Sequence, residues 1–147
     1  FAVTVLAQGG TSAADWSLGG KCHRLLEAAI PAIRKAPPVT HIVYHQGERD
    51  TFLKTARAAY VASFRSLAAR LAHEWPAAPI LLCTASYRMG VTSQEVRAAQ
   101  AELVATMAGC RPGPDTDSLG ADMRRDDTHF NAAGLEAFAA MLAALLP

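Results

Sequence analysis

The most specific chemical pattern in the sequence is an aspartate and a histidine three residues apart near the C-terminus. Asp126 and His129 lie in the segment RRDDTHFN, whose last residue, Asn131, can cap a following helix. A general-base histidine needs a partner that fixes its tautomer and stabilises the imidazolium, and an aspartate at this spacing can reach Nδ1. The pattern therefore predicts an acid–base pair. The alternative is that Asp126 and Asp127 form surface ion pairs with the two preceding arginines.

A second dense group of polar side chains, HQGERD, occupies residues 45–50. The amide of Gln46 can donate to a developing oxyanion, and Gly47 allows the chain to turn. Glu48 and Asp50 can brace an arginine or neighbouring loops. The alternative is an ordinary charged turn between a strand and a helix. We favour a functional role because so many different polar groups fall within six residues.

A third candidate segment is QGGTSAADW at residues 8–16. Two glycines allow a sharp turn that points amide groups at an anionic oxygen, so Gly10 is a candidate oxyanion donor. The alternative is a tight turn, with Trp16 covering the core. Ser12 is a weak candidate nucleophile because the GxSxG pattern that exposes a serine is missing, and a turn or capping role is more ordinary.

Metal binding and disulfide bonding receive little support. His41 and His45 would lie on one face of a strand, and an added carboxylate would complete a facial metal triad, but strand histidines are more often structural. The three cysteines are an odd number without a CxxC spacing, which argues against a disulfide framework and a zinc site. We expect buried or idle thiols and no bound metal.

The elements that must position these motifs follow from the apolar patterns. Residues 1–7, 39–45 and 79–86 are short apolar runs typical of buried strands. Helical periods occupy residues 25–33, 60–71, 96–107 and 135–145, with Pro31 expected to kink or shorten the first. Thr92 and Glu95 fit a capping box for the third helix. A long loop at residues 109–128 could contain a short edge strand near residues 110–116.

This alternation of strands and helices predicts the fold class. It implies right-handed crossovers and a mostly parallel sheet covered on both faces. We therefore expect a three-layer α/β/α sandwich formed by residues 1–147 as a single domain. In such sheets ligands bind at the carboxyl ends of the strands, where the glycine-rich and HQGERD segments are expected.

Composition excludes several classes of partner. The chain has 147 residues, of which 14 are basic and 13 acidic, and neither sign collects into a block typical of nucleic-acid or lipid binding. No apolar run is long enough to span a bilayer, so we expect a soluble protein without nucleic-acid or membrane partners. The sequence does not indicate whether the compartment is cytoplasmic, periplasmic or extracellular.

Taken together, the three motifs resemble those of the SGNH (GDSL-like) hydrolases, in the branch of sialate O-acetylesterases and carbohydrate acetylesterases such as acetylxylan esterases. The resemblance implies a flavodoxin-like SGNH fold and a serine esterase of acetylated carbohydrate that needs no cofactor. It gives His129 the role of general base and Asp126 that of its orienting partner. Gly10 and Gln46 would form the oxyanion hole. Glu48, Asp50 and Ser12 would give support or contact substrate.

The nucleophile is the missing part of this resemblance. In the family the serine lies in an earlier block like GQSN, after a central strand, and no such motif occurs in the 147 residues. We expect it upstream of Phe1, on a preceding segment or on a separate chain that completes the sheet. A relocated nucleophile such as Ser12 is a second explanation. The alternative function is a noncatalytic carbohydrate-binding or partner-completed module.

Overall fold

The core of the protein is a sheet of three parallel strands in the order β1-β2-β3. The computed structural model describes residues 2–146, and its strands are β1 (Ile42–Tyr44), β2 (Ile80–Thr84) and β3 (Cys110–Asp115). β2 is central, with Ile80 opposite Ile42 on one side and Cys110 on the other. The parallel sheet and the edge strand near residues 110–116 are confirmed, although β1 and β2 are shorter than predicted.

Helices connect and cover the strands. They are α1 (Ala13–Trp16), α2 (His23–Ile33), α3 (Glu48–Leu53), α4 (Arg57–Glu74), α5 (Gln94–Thr106) and α6 (Ala132–Ala143), with 3-10 turns at Thr116–Ser118 and Ala121–Met123. Four of these helices confirm the predicted helical periods. The other two, α1 and α3, were not predicted, because four and six residues are too few to establish an apolar period. Pro31 lies inside α2, which ends two residues later.

Burial of the central strand on both faces confirms the layered architecture. Ile80 and Leu82 belong to one apolar cluster with Phe64 of α4 and with buried residues of α5. Leu81 and Cys83 alternate with them and so face the other side of the sheet, where they are also buried. Helix α6 contacts β3. The sheet therefore lies between helical layers, as predicted for an α/β/α sandwich.

The prediction of a strand over residues 1–7 is wrong for the described part, residues 2–7. This segment forms no strand, and the side chains of Val3 and Val5 are 81% and 79% exposed. Strand structure requires a partner for its backbone N–H and C=O groups, and β1 pairs only with β2 in the described sheet. The segment is apolar, but within residues 2–146 it has no neighbouring strand with which to pair. Phe1 lies outside the described residues.

Two helix caps test the predicted boundaries. Asn131 caps α6 as predicted, accepting a hydrogen bond from Gly134 N at 3.0 Å. The predicted capping box at Thr92 is wrong, because Ser93 is the N-cap of α5 and its hydroxyl accepts from Val96 N at 3.3 Å. The Glu95 carboxylate instead accepts from Arg57 N at 3.1 Å. Glu95 thus makes a tertiary contact with the start of α4 instead of capping its own helix.

The core is held by packing without cross-links. All three cysteines are free and buried, as predicted. Within residues 2–146, no helix has both the length and the apolar composition needed to cross a membrane.

Candidate active site

Asp126 and His129 form a directly bonded pair on the loop before α6. His129 Nδ1 lies 2.8 Å from Asp126 Oδ2, and Asp126 Oδ1 accepts hydrogen bonds from the backbone N–H groups of His129 (2.7 Å) and Thr128 (3.2 Å). One carboxylate therefore fixes both the backbone and the ring of the histidine. With Nδ1 protonated towards Asp126, Nε2 is left as the acceptor that a general base requires.

The electrostatics of this pair keep the carboxylate ionised. Hydrogen bonds from the His129 backbone and then from its side chain lower the pKa of Asp126 from 3.8 to about 2. The side chains are accessible, at 49% exposure for Asp126 and 63% for His129. The pair thus combines a charged orienting group with a ring that solvent and ligands can reach.

The glycine-rich segment and Gln46 come together at the carboxyl end of β1. The Gln46 side-chain amide donates a hydrogen bond to the carbonyl of Thr11. An amide group carries two hydrogens, and the second N–H is close enough to Asp50 to oppose the rise in the pKa of that carboxyl. Gly10 has φ of +70°, a left-handed conformation that favours glycine, and its N–H has no protein acceptor among the described residues. The two predicted oxyanion donors therefore belong to adjoining segments, with the Gln46 amide held between Thr11 and Asp50.

Two buried side chains hold the backbone of Gln46. Its carbonyl accepts from Tyr60 Oη at 2.7 Å and from Gln100 Nε2 at 3.1 Å. Gln100 also bonds both backbone groups of Ala85 at the end of β2, at 3.1 and 2.9 Å. Sequence reasoning missed both residues. The signal available for Gln100 was a polar residue on the apolar face of a helix, between Val96 and Leu103.

Gly47 is required by a close approach between two strand ends. A Cβ atom built on Gly47 would lie 1.8 Å from the carbonyl oxygen of Ala85. No other residue fits here without moving the backbone. The glycine thus lets the segment after β1 and the segment after β2 meet at one edge of the sheet, as a site at the strand ends requires.

Asp50 and Ser12 are structural anchors of the glycine-rich segment. Asp50 is 1% exposed and its carboxylate accepts from Ala13 N at 2.9 Å. Burial raises the pKa of Asp50, and the bond from Ala13 opposes this effect. Ser12 precedes α1, and its backbone N–H and hydroxyl both bond to Asp15 Oδ2, at 2.7 and 3.0 Å. Ser12 therefore occupies a capping position.

Glu48 and the two histidines that flank β1, His41 and His45, have distinct surroundings. Glu48 accepts from Gly47 N at 3.1 Å and lies 3.7 Å from His45 Nδ1. His45 Nε2 is 2.9 Å from the Thr116 hydroxyl, whereas His41 contacts its neighbour Thr40. Residues 2–146 contain no group of three histidine, cysteine or acidic side chains arranged to hold a metal ion. The structure thus brings no third ligand to His41 and His45.

The predicted site residues form two groups. The first joins Gly10 and Ser12 to Gln46 and Asp50 through the contacts of Thr11 and Ala13. The second is the Asp126–His129 pair. Within the described part of the chain, no hydrogen bond or ion pair links His129 to the first group, and no serine hydroxyl bonds to it.

The alternative interpretation, in which Asp126 and Asp127 form surface ion pairs with the two preceding arginines, is wrong for Arg124. The Arg125 side chain does reach Asp126, at 3.9 Å, but Arg124 is only 7% exposed and turns into the protein. Sequence reasoning missed this burial because adjacent charged residues are typical of a solvated loop.

Comparisons with known proteins identify the family and the fold of the chain. The sequence matches the family described as carbohydrate esterase, sialic acid-specific acetylesterase, over residues 2–146. The fold is similar to that of a carbohydrate esterase family 3 from Talaromyces cellulolyticus, with a TM-score of 0.65 and 15% identity, covering 92% of this chain and 66% of that chain. This chain therefore spans just under two thirds of that relative's length. No curated protein matches. The family match over residues 2–146, together with an α/β fold like that of a carbohydrate esterase, shows that the chain belongs to the sialic acid-specific acetylesterase family of carbohydrate esterases.

Proposed function

We propose that the domain of residues 1–147 works in a serine esterase that removes O-acetyl groups from carbohydrate. The observation that carries this proposal is the 2.8 Å contact between His129 Nδ1 and Asp126 Oδ2 on an accessible loop. Acyl transfer by a serine requires such an oriented histidine, with its second nitrogen directed at the nucleophile.

In the proposed reaction, His129 Nε2 takes the proton of a serine hydroxyl while the serine oxygen attacks the acetyl carbonyl. Gly10 N–H and the remaining N–H of Gln46 stabilise the resulting oxyanion. The bond to the sugar oxygen then breaks, and His129 returns the proton to that oxygen. Water, activated by the same histidine, releases acetate from the acetyl-serine. Asp126 keeps the ring in one tautomer and stabilises the imidazolium throughout.

The nucleophile in this proposal comes from a strand that precedes Phe1 or belongs to a separate chain. Support comes from the outer edge of β1, which is unpaired among the described residues, and from residues 2–7, which form no strand and leave Val3 and Val5 exposed. Val43 of β1 is also 40% exposed. A strand inserted at this edge would satisfy the backbone groups and cover the apolar side chains.

Glu48, Asp50 and Ser12 have supporting roles in the proposal. Asp50 fixes the start of α1 through Ala13, which orients the adjoining Gly10–Thr11 peptide. Glu48 accepts from Gly47 N and so stabilises the turn that carries Gln46. Ser12, at its capping position, bonds to Asp15 and also stabilises the start of α1.

A second candidate function is a noncatalytic carbohydrate-binding or partner-completed module. It is favoured by one observation, that no serine hydroxyl bonds to His129 within residues 2–146. The two functions are separated by measuring acetate release from O-acetylated N-acetylneuraminic acid and from acetylated xylan, with binding measured in parallel. Release of acetate that persists in a chelator supports the serine esterase. Binding without release supports the module, and release abolished by the chelator would favour metal-dependent hydrolysis.

A further inference from the structure

The orientation of His129 must come from its backbone rather than from packing around its ring. The ring is 63% exposed, and its one hydrogen bond is to Asp126, which is itself 49% exposed. Neither side chain is enclosed by the core. What fixes the pair is therefore whatever fixes the loop of residues 124–130.

This loop is a tight hairpin closed at its base. Arg124 and Phe130 form an antiparallel bridge, and Arg125 N donates to His129 O at 2.9 Å. At the tip, Asp127 has φ of +53°, and its carbonyl accepts from Met89 N at 2.6 Å. The backbone thus turns sharply between the two halves of the acid–base pair, and a small change at its base would rotate His129.

The Arg124 side chain folds beneath this hairpin and binds three backbone carbonyls. Its guanidinium donates to Thr128 O at 2.6 Å, to Thr116 O at 2.9 Å and to Leu119 O at 3.2 Å. Thr128 immediately precedes His129, whereas the other two belong to the segment after β3. One side chain therefore ties the loop of the candidate base to the segment at the end of the sheet.

Two aromatic rings complete the environment of this guanidinium. It lies 4.2 Å from the ring centroid of Tyr87 and 4.6 Å from that of Phe130. No carboxylate within residues 2–146 lies within ion-pair distance of Arg124, so its donors are directed to neutral carbonyls. Burial lowers the pKa of Arg124. More distant acidic groups oppose this effect, and the largest opposing contribution comes from the charge of Glu48. Burying a cation without an ion pair costs free energy. The planar guanidinium of arginine reaches three carbonyls at once, which the compact ammonium group of lysine could not do.

We propose that Arg124 is a positioning residue for His129. By binding the Thr128 carbonyl, Arg124 sets the direction of the His129 imidazole. This inference rests on the proposed function for its consequence in catalysis. The structural part of the claim is independent of turnover, because it concerns the tautomer and orientation of His129 in the chain.

The test compares Arg124→Lys and Arg124→Met with the matched control Arg125→Met, which removes a positive charge from the same loop, together with the 3.9 Å contact to Asp126, but leaves the three carbonyl bonds in place. The first readout is the tautomer of His129, measured from ring nitrogen shifts by long-range ¹H–¹⁵N NMR at about pH 8, where an ordinary imidazole is neutral. We expect the Nδ1–H form to dominate in the wild type and in Arg125→Met. Both Arg124 variants should gain the Nε2–H form.

The second readout is the kinetics of acetyl ester hydrolysis. We expect kcat to fall about 10-fold to 100-fold in both Arg124 variants while KM changes little, because misplacement of a catalytic group by about 1 Å costs rate rather than substrate affinity. Free guanidinium ion should restore part of kcat in Arg124→Met. It should restore nothing in His129→Ala, where the base itself is missing.

Arg124→Lys keeps the charge and the aliphatic stem, so it decides the question if Arg124→Met does not fold. An unchanged tautomer and an unchanged kcat in folded Arg124→Lys would overturn the proposal. Equal losses in Arg125→Met would also overturn it, because they would show a general charge effect. If the full protein, with the segment or chain proposed to supply the serine, has no esterase activity, the proposed function fails, and the tautomer measurement still decides the role of Arg124.

Discussion

His129 and Asp126 are joined by the 2.8 Å contact between Nδ1 and Oδ2, while the same carboxylate accepts the His129 backbone N–H at 2.7 Å. The aspartate therefore constrains the histidine at two points, which a single side-chain contact could not do. This double contact is available because the two residues are three apart on a tight hairpin. It explains how an exposed ring can be held in one tautomer without enclosure by the core.

Asp126→Asn should keep the loop of residues 124–130 close to its present shape but impair His129 as a general base. The amide can still accept from the backbone N–H groups, yet it neither stabilises an imidazolium nor enforces the same tautomer. We expect kcat for acetyl ester hydrolysis to fall on the order of 10³-fold to 10⁴-fold. Thermal unfolding of the same variant provides the control. Full activity of a folded Asp126→Asn protein would contradict the role of Asp126.

The pH dependence of Asp126 follows from its lowered pKa. Because the folded value is depressed from 3.8 to about 2, the interactions are fully present above the ordinary value and are lost as pH falls through about 2. We expect an NMR titration of the Asp126 carboxyl carbon to show its midpoint near pH 2. In His129→Ala the midpoint should rise but stay below the ordinary value, because the backbone N–H bonds remain. An unchanged midpoint would mean that the His129 side chain contributes nothing.

Gln46→Ala tests the oxyanion hole. The substitution removes the side-chain amide and its hydrogen bond to the Thr11 carbonyl, but it leaves the backbone contacts of residue 46 with Tyr60 and Gln100, so the protein should still fold. Loss of one oxyanion donor typically costs on the order of 10²-fold to 10³-fold in kcat. Gln94→Ala, at an exposed position of α5, is the matched control. Equal kcat values in the two variants would remove Gln46 from the mechanism.

Gln100→Leu tests the link between the ends of β1 and β2. Leucine fills a similar volume but leaves the backbone groups of Ala85 without their partners and removes one donor to the Gln46 carbonyl. We expect the free energy of unfolding to fall by about 2 to 4 kcal/mol, since each buried group left unpaired costs about 1 to 3 kcal/mol. Urea unfolding of Gln100→Leu beside Gln94→Leu measures this loss. Matching curves would show that the network adds no stability.

Much of the fold could be predicted because the relevant signals are local. The apolar run around Ile80 and the helical periods reflect burial on neighbouring elements, and Asn131 is a cap whose partner is three residues away. The failures have a common cause in tertiary contacts. Val3 and Val5 are apolar and β-branched, but a strand also needs a paired neighbour. Glu95 fits a capping pattern, but its carboxylate binds Arg57 N instead.

The reacting groups of the candidate site could be predicted from the sequence, but the residues that hold those groups in position could not. Asp126 and His129 are visible from residue type and spacing, and their contact is local. Tyr60, Gln100 and Arg124 act through backbone carbonyls distant in sequence or buried beneath a loop, and no spacing rule reveals such partners. The relationship between His129 and the Gly10 and Gln46 group depends on loop placement, which residue patterns do not specify.

The central claim, that His129 activates a serine for acyl transfer, is tested most directly with a fluorophosphonate probe. The full protein and its His129→Ala variant are treated with the probe and digested, and the labelled peptide is located by mass spectrometry. The account predicts one labelled serine upstream of Phe1 or on an associated chain, with labelling strongly reduced in His129→Ala. Equal labelling of the variant, or no labelling of the wild type under conditions that label a known serine esterase, would contradict it.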